Sequence, residues 1–279
     1  MTSLANRTIL MSGGSRGIGL SIALAAAREG ANLVLLAKTD VPDPRLPGTI
    51  HTAVAEIEAA GGQALAVVGD VRDEESTLRA AELAAERFGG IDVVINNASA
   101  IDLNKTENVS VKKFDLMQQI QCRGTFLLTQ AALPHLRAST NAHIVSLSPP
   151  LNMNPYWLGA HPAYTLAKYG MTLLTLSFAE EFRAEGIAGY TLWPETMIAT
   201  AAVQNILGGE EGMRRARTPE IMADSAIELL RKPSAEVTGR SYLDVDVLSG
   251  AGVTDLSKYG SGDDIITDIF VDLPNAVRE

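Results

Sequence analysis

One cysteine, Cys122, in 279 residues has no partner within the chain, which excludes an internal disulfide framework and a cysteine-built zinc site. Histidine is scarce as well. His51, His135, His143 and His161 stand at no metal-ligand spacing, so no metal is expected. No apolar run is long enough to span a bilayer, and the first residues lack a signal-peptide core. Basic residues are the minority, 23 Lys and Arg against 33 Asp and Glu. The formal net charge of −10 speaks against nucleic acid or an anionic membrane as the main partner. With no Ser-Lys-Leu address at the C-terminus, these absences lead to the expectation of a cytoplasmic protein.

Aromatic residues make up only 5%, while hydrophobic residues reach 46% and include many alanines, a composition suited to helices packed closely on a sheet. Short apolar runs at 8–11, 32–36, 64–68, 91–95, 143–147 and 189–193 read as buried strands. Between them, residues 18–29, 52–60, 74–88, 111–136 and 163–184 have helical spacing. A repeated β-α rhythm predicts an α/β fold, a doubly wound parallel sheet with helices on both faces, in one domain over residues 1–279. Gly61-Gly62 and Gly89-Gly90 fall where helices should end. The prolines at 42, 44 and 47 make 39–48 a loop. Residues 197–217 read equally as a solvated excursion or as a lid over a cleft beyond the strand ends.

Two patterns carry chemistry. The first strand runs into Gly13-Gly14-Ser15-Arg16-Gly17-Ile18-Gly19 and then a helix. Glycines let backbone approach a pyrophosphate, and a helix N-terminus offers N–H groups and a positive dipole end. Far downstream, Tyr164 and Lys168 lie one helical turn apart. An ammonium beside a phenol favours phenolate, so such a tyrosine can exchange a proton with a substrate oxygen. Each pattern alone is common.

Together with Asn96-Asn97-Ala98-Ser99 after the fourth strand, in this order and spacing, they resemble the short-chain dehydrogenase/reductase family over about residues 6 to 250, a Rossmann-type core followed by a C-terminal extension over 251–279. The resemblance implies hydride transfer between a nicotinamide cofactor and a carbonyl or alcohol. It places Gly13, Ser15, Arg16, Gly17, Ile18 and Gly19 at the pyrophosphate and adenosine ribose, Asp70 and Val71 at adenine, and Asn97 and Ala98 at the nicotinamide-side ribose. It makes Tyr164 the acid/base and Lys168 both its activator and a ribose ligand, with Pro194 and Thr196 beside the carboxamide. It also implies a homodimer or homotetramer, pairing through the helix at 111–136 and the Tyr164 helix.

Cofactor choice rests on Leu36-Ala37-Lys38-Thr39 at the end of the second strand, where no acid stands to bind a ribose 2′-hydroxyl. Arg16 and Lys38 suit a 2′-phosphate, so NADP(H) is expected over NAD(H), with nearby Asp40 the feature against it. Three positions depart from the family pattern. The family's serine, thirteen residues before the tyrosine, falls on Leu151; aligned on the strand it falls on Pro149. Ser146 and Ser148 are the nearest hydroxyls, and Ser148 is assigned. Gln121 stands where the family has a relay asparagine, and Glu195 where it has glycine. These departures motivate a second reading, a dinucleotide-binding sensor or partner-binding protein with impaired chemistry; a lyase or epimerase on the same fold is a third.

Within the family, Arg45-Leu46-Pro47-Gly48-Thr49-Ile50, Leu147-Ser148-Pro149-Pro150-Leu151-Asn152 and Asp272-Leu273-Pro274 resemble a narrower subgroup whose larger members append a sterol-carrier-like domain. That points toward a lipid-like small-molecule substrate. His161 reads as a helix-start residue, and Cys122 as packed rather than nucleophilic.

Overall fold

The computed structural model describes residues 2–43, 46, 48–260 and 264–272. Pro44, Arg45 and Pro47 of the expected loop, with Leu273 and Pro274 of the tail motif, lie outside the described residues. Seven strands, β1 (Thr8–Ser12), β2 (Asn32–Ala37), β3 (Gln63–Val68), β4 (Val93–Asn96), β5 (His143–Leu147), β6 (Ala188–Trp193) and β7 (Arg240–Leu243), form one parallel sheet. Their order is β3-β2-β1-β4-β5-β6-β7. The winding reverses between β1 and β4, and the crevice there is where such sheets hold ligands. Six of the seven strands match the expected runs to within two residues at either end. The seventh, β7, is a short edge strand of sequence Arg-Ser-Tyr-Leu with no apolar run to mark it.

Alternation along the strands sends side chains to two cores. Ile9 and Met11 pack with Leu33 and Leu35 under α1 (Gly17–Arg28) and α2 (Ile50–Ala59), whereas Leu10, Val34 and Leu36 face α3 (Glu74–Phe88) on the other side. Helix ends follow local chemistry. Thr49 and Thr52 form a reciprocal capping box at α2, Asp73 accepts from the Ser76 N–H at α3, and Gly89 ends α3 in the left-handed conformation (φ 87°).

The run expected as one helix over 111–136 is α4 (Val111–Gln118), a π-helical turn over Gln119–Arg123, and α5 (Gly124–Leu136). The wider turn rotates Gln121 inward, and such turns recur where a helix serves a site. Two helices follow β5, α6 (Pro155–Ala160) and α7 (Pro162–Glu181), the latter carrying Tyr164 and Lys168. Beyond β6 lie α8 (Gly209–Arg214) and α9 (Glu220–Leu230). At the C-terminal ends of the strands a third, aromatic cluster gathers Trp157, Tyr164, Tyr169, Trp193 and Phe270. No helix among the described residues is long and apolar enough to cross a membrane.

Candidate active site

The glycine turn leaves β1 with Gly13 (φ 75°) and Gly17 (φ 57°) in the left-handed region that glycine tolerates best. Helix α1 starts at Gly17 with Arg16 at the N-cap, where no side chain caps the first turn. Its N–H groups are thus left to a ligand at the cleft. The adjoining strand fixes this turn. Asn97 Nδ2 donates to the carbonyls of Ser12 (3.0 Å) and Gly13 (2.7 Å), and Ser12 Oγ accepts from the Asn97 and Ala98 N–H groups. A Cβ at Gly19 would stand 2.6 Å from Asn97 Nδ2 and 2.8 Å from the Gly13 carbonyl, so helix and turn close only around glycine. Gly19→Ala is expected to push the turn off Asn97 and cost dinucleotide affinity about tenfold or more (~1.4 kcal/mol). Calorimetric titration checks this, alongside circular dichroism to show an intact fold.

At the other rim, Lys38 at the end of β2 reaches Asp70 at 3.5 Å, and Arg72 forks onto the same carboxylate at 2.6–3.0 Å. Burial pushes Asp70 up, but the Arg72 hydrogen bonds and the Lys38 charge outweigh it and hold the group at about 2. Asp40 is occupied elsewhere, its Oδ1 2.6 Å from His51 Nε2. Arg16 Nη2 donates to the Gly48 carbonyl and Arg16 feels the charge of Asp43.

The turn, Arg16, Lys38, Asp70, Val71, Asn97 and Ala98 border one cavity of about 940 Å³ that runs on to Tyr164, Lys168 and Pro194. Segment 198–206 walls its outer side through Ile198, Thr200 and Ile206. Tyr164 and Lys168 are both buried on α7. The Lys168 ammonium donates to the Leu147 carbonyl at 2.8 Å and lies 5.2 Å over the Trp193 ring. Burial draws its pKa down to about 7, opposed by Asp268. Burial also drives the Tyr164 phenol well above its ordinary range; Asp268 adds to this, and a hydrogen bond with Ser99 acts against it. In this arrangement the phenol holds its proton.

Ser148 and Gln121 lie off the cavity wall. Ser148 is fully buried, with Oγ donating to the Lys168 carbonyl and sharing a proton with Thr172 Oγ1, each at 2.7 Å. These bonds tie β5 to α7. Ser146 likewise faces α7, on Thr175 Oγ1 at 2.6 Å. Gln121 spends both ends of its amide on Ala100, accepting from its N–H at 3.3 Å and donating to its carbonyl at 2.9 Å. Thr196 pairs by its backbone with Thr267, is buried and does not line the cavity. Glu195 turns from the cavity; burial first, then Asp246, raises its pKa while Arg217 lowers it. His161 Nδ1 donates to the Leu103 carbonyl, and Cys122 packs against Gln118 and Ala167.

Among the wall residues without a role in the sequence analysis are Ser99, Trp193 and Asp268. Ser99 directly follows the Asn97-Ala98 pair and was within reach of the motif. Asp268 belongs to a segment with no local signal.

The chain matches the family profile of the short chain dehydrogenases over residues 7–210. It is 51% identical over 271 residues to hydroxysteroid dehydrogenase-like protein 2 of Danio rerio, covering 96% of this chain and 65% of that protein. The human protein of the same name is 47% identical over 279 residues, 99% of this chain and 66% of that one. The chain thus spans only about two thirds of the length of these relatives. A solved short chain dehydrogenase from Mycobacterium thermoresistibile superposes with a TM-score of 0.92 at 53% identity, over 99% of this chain and 98% of that one. More distant structures of the same fold hold NAD (Mycobacterium paratuberculosis, 20% identity over 86% of this chain and 97% of that one, TM-score 0.73) or NADP (a metagenomic oxidoreductase, 26% over 87% and 97%, TM-score 0.69). With the glycine turn, the Asn97 clamp, Tyr164 and Lys168 along one cavity, the chain belongs to the short-chain dehydrogenase family.

Proposed function

We propose that the protein is an oxidoreductase that moves a hydride between NADP(H) and a neutral carbonyl or alcohol, with Tyr164 as acid/base and Lys168 assisting. The observation that carries this is the continuity of the cavity, with the glycine turn and the N-terminus of α1 at one end and a buried phenol and ammonium at the other. When bound, the nicotinamide supplies or accepts the hydride at carbon. The chain's own residues do the rest. Gly13, Ser15, Gly17, Ile18, Gly19 and the N-terminus of α1 hold the pyrophosphate, Arg16 and Lys38 the 2′-phosphate, and Asp70 with Val71 the adenine. Asn97, Ala98 and Lys168 take the nicotinamide-side ribose, and Pro194 the carboxamide. Tyr164 passes its proton to the substrate oxygen. Ile101, Leu103, Ile206 and Ile269 give the substrate end an apolar lining that suits a lipid-like compound.

The engagement of Asp40 by His51 supports NADP(H), because that carboxylate already has a hydrogen-bond partner outside the cavity. Titrating the protein with NADPH and with NADH is expected to give about tenfold tighter binding of NADPH. The opposite order would reassign the cofactor, and no binding of either would end the oxidoreductase reading. Phe126 on α5 and Leu166 and Leu173 on α7 are large exposed apolar residues on the helices named for subunit pairing, which supports a dimer or tetramer. The single cysteine suits a cytoplasmic setting.

A second reading, a dinucleotide-responsive binding protein without efficient turnover, draws on the closed hydrogen bonding of Ser148 and Gln121. Tyr164-dependent oxidation of NADPH by any carbonyl compound separates the two, since only the first predicts it.

A further inference from the structure

The described C-terminal residues, 264–272, return across the strand ends as a strap. The Ile266 N–H donates to the Arg215 carbonyl (2.9 Å), and the Asp268 N–H to the Glu195 carbonyl (2.9 Å). Trp193 Nε1 donates to the Ile269 carbonyl (3.1 Å), Asn152 Nδ2 to the Phe270 carbonyl (3.0 Å) and Trp157 Nε1 to Asp272 Oδ1 (2.9 Å). Phe270 sits at φ 70°, a strained setting for a non-glycine residue, and is buried with its ring stacked 6.2 Å from that of Tyr164. Such strain persists only where the surroundings over-determine it, as they do where an active site is being built.

What the strap delivers is a carboxyl group. Asp268 lines the cavity alongside Tyr164 and Lys168, and both of these groups feel its charge. Its Oδ1 accepts from the Ile269 N–H at 2.7 Å, which leaves Oδ2 for what enters the cleft. Meanwhile Pro149 follows Ser148 without a hydroxyl, and Ser148 itself is closed off. We propose that Asp268 is a catalytic group of this cleft, hydrogen-bonding the substrate oxygen beside Tyr164 and returning to Tyr164 the proton it gives up. The assignment rests on the hydride-transfer reading above.

The step balances. As hydride forms the new C–H bond, the C=O π pair moves to oxygen. The Tyr164 O–H bond breaks and the substrate O–H bond forms. The Asp268 O–H bond then breaks to restore the phenol, and the carboxylate recovers a proton from solvent. Asp268 suits this task because burial, aided by Asp244 and opposed by the Ile269 N–H and Lys168, raises its pKa to about 8. The charged and titratable groups that act on Asp268 or feel it are Lys168 and Tyr164 on α7 and Asp244 at the start of the short helix after β7, while Glu195 and Arg217 act in turn on Asp244. Because Asp268 and Lys168 interact, the pH profile reports the pair. An acid at the reacting centre also disfavours a substrate with a carboxylate beside its carbonyl, so a neutral ketone or its alcohol is the matching class.

Asp268→Asn keeps the size of the side chain and removes the proton. With cyclohexanone and 2-decanone as probes, ketone reduction by NADPH is expected to fall about a hundredfold in kcat, with NADPH affinity, read by calorimetry, changed less than about threefold. Wild-type reduction should decline as pH rises through the region where Asp268 ionises; the variant should lack that limb. A second readout needs no turnover. In protein carrying carbon-13 aspartate carboxyls, the resonance missing from Asp268→Asn should titrate near neutrality and move in Lys168→Met. Titration in the ordinary carboxylate range, unmoved by Lys168→Met, or full activity of Asp268→Asn across the pH range, overturns the proposal. If the wild type binds neither dinucleotide, the hydride-transfer reading and this catalytic role both fall. A coupled carboxyl titration alongside bound dinucleotide but slow Asp268→Asn turnover is the outcome that supports it.

Discussion

Tyr164→Phe is expected to lower carbonyl reduction by about a hundred- to ten-thousand-fold, the range typical of losing a positioned general acid. The variant should fold normally. The ring is what packs against Phe270 and the aromatic cluster, and phenylalanine keeps the ring while losing only the hydroxyl and its hydrogen bond with Ser99. NADPH affinity should therefore stay within about threefold, so the deficit falls on turnover and not on binding. Following loss of NADPH absorbance with neutral ketones, beside a calorimetric titration, separates the two. Wild-type turnover in this variant would remove Tyr164 from the chemistry. The same site predicts a directional bias. Burial raises the phenol pKa, so at neutral pH the group holds its proton and is ready to donate. Alcohol oxidation needs the phenolate, so it should gain relative to reduction as pH rises.

The parts of this site that the sequence revealed are those whose chemistry is local. A glycine turn between a strand and a helix, a lysine at a strand end and a tyrosine one helical turn before a lysine each announce themselves within a few residues, and the structure sets them along one cavity. Side-chain direction at strand exits is not local in this sense. Ser146 and Ser148 lie two residues apart and so share one side of the chain, and both hydroxyls turn to α7, which no local pattern announces. The π-helical turn at Gln119–Arg123 is hidden for a similar reason, since one extra residue in a turn leaves the apolar spacing of 111–136 nearly intact while rotating Gln121 onto Ala100. The lysine–tyrosine spacing is legible in the sequence, but the ammonium's contacts with the Leu147 carbonyl and the Trp193 ring are tertiary and are not. Asp268 lay beyond any reading of pattern. It reaches the site through tertiary contacts made by Trp157, Trp193 and Asn152 with a segment that has no periodicity of its own.

Those contacts make Phe270→Ala the second large effect. The Phe270 ring is 1% exposed and lies 5.3 Å from Tyr169, 5.8 Å from Trp157 and 6.3 Å from Trp193, centroid to centroid. Truncating such a ring costs about 3–5 kcal/mol when the whole domain must bear it. Here the domain has a cheaper response. The strap lies at one edge of the cluster and is tied by a handful of hydrogen bonds, so it should open locally while the sheet stays folded. Amide exchange at Ile266 and Asp268 should then rise by orders of magnitude, with a smaller fall in the global melting temperature. The chain's two tryptophans, Trp157 and Trp193, both donate to the strap, so their fluorescence should shift to the red. Unchanged fluorescence and protection would show that Phe270 does not latch the segment. Phe270→Gly sharpens the test. Glycine usually destabilises relative to alanine by roughly 0.5–1 kcal/mol, but at φ 70° it avoids the strain that alanine retains. Phe270→Gly should thus hold the strap at least as well as Phe270→Ala, reversing the usual order. Such a reversal requires that the left-handed backbone at residue 270 persist once the ring is gone, with the strap's hydrogen bonds holding it there.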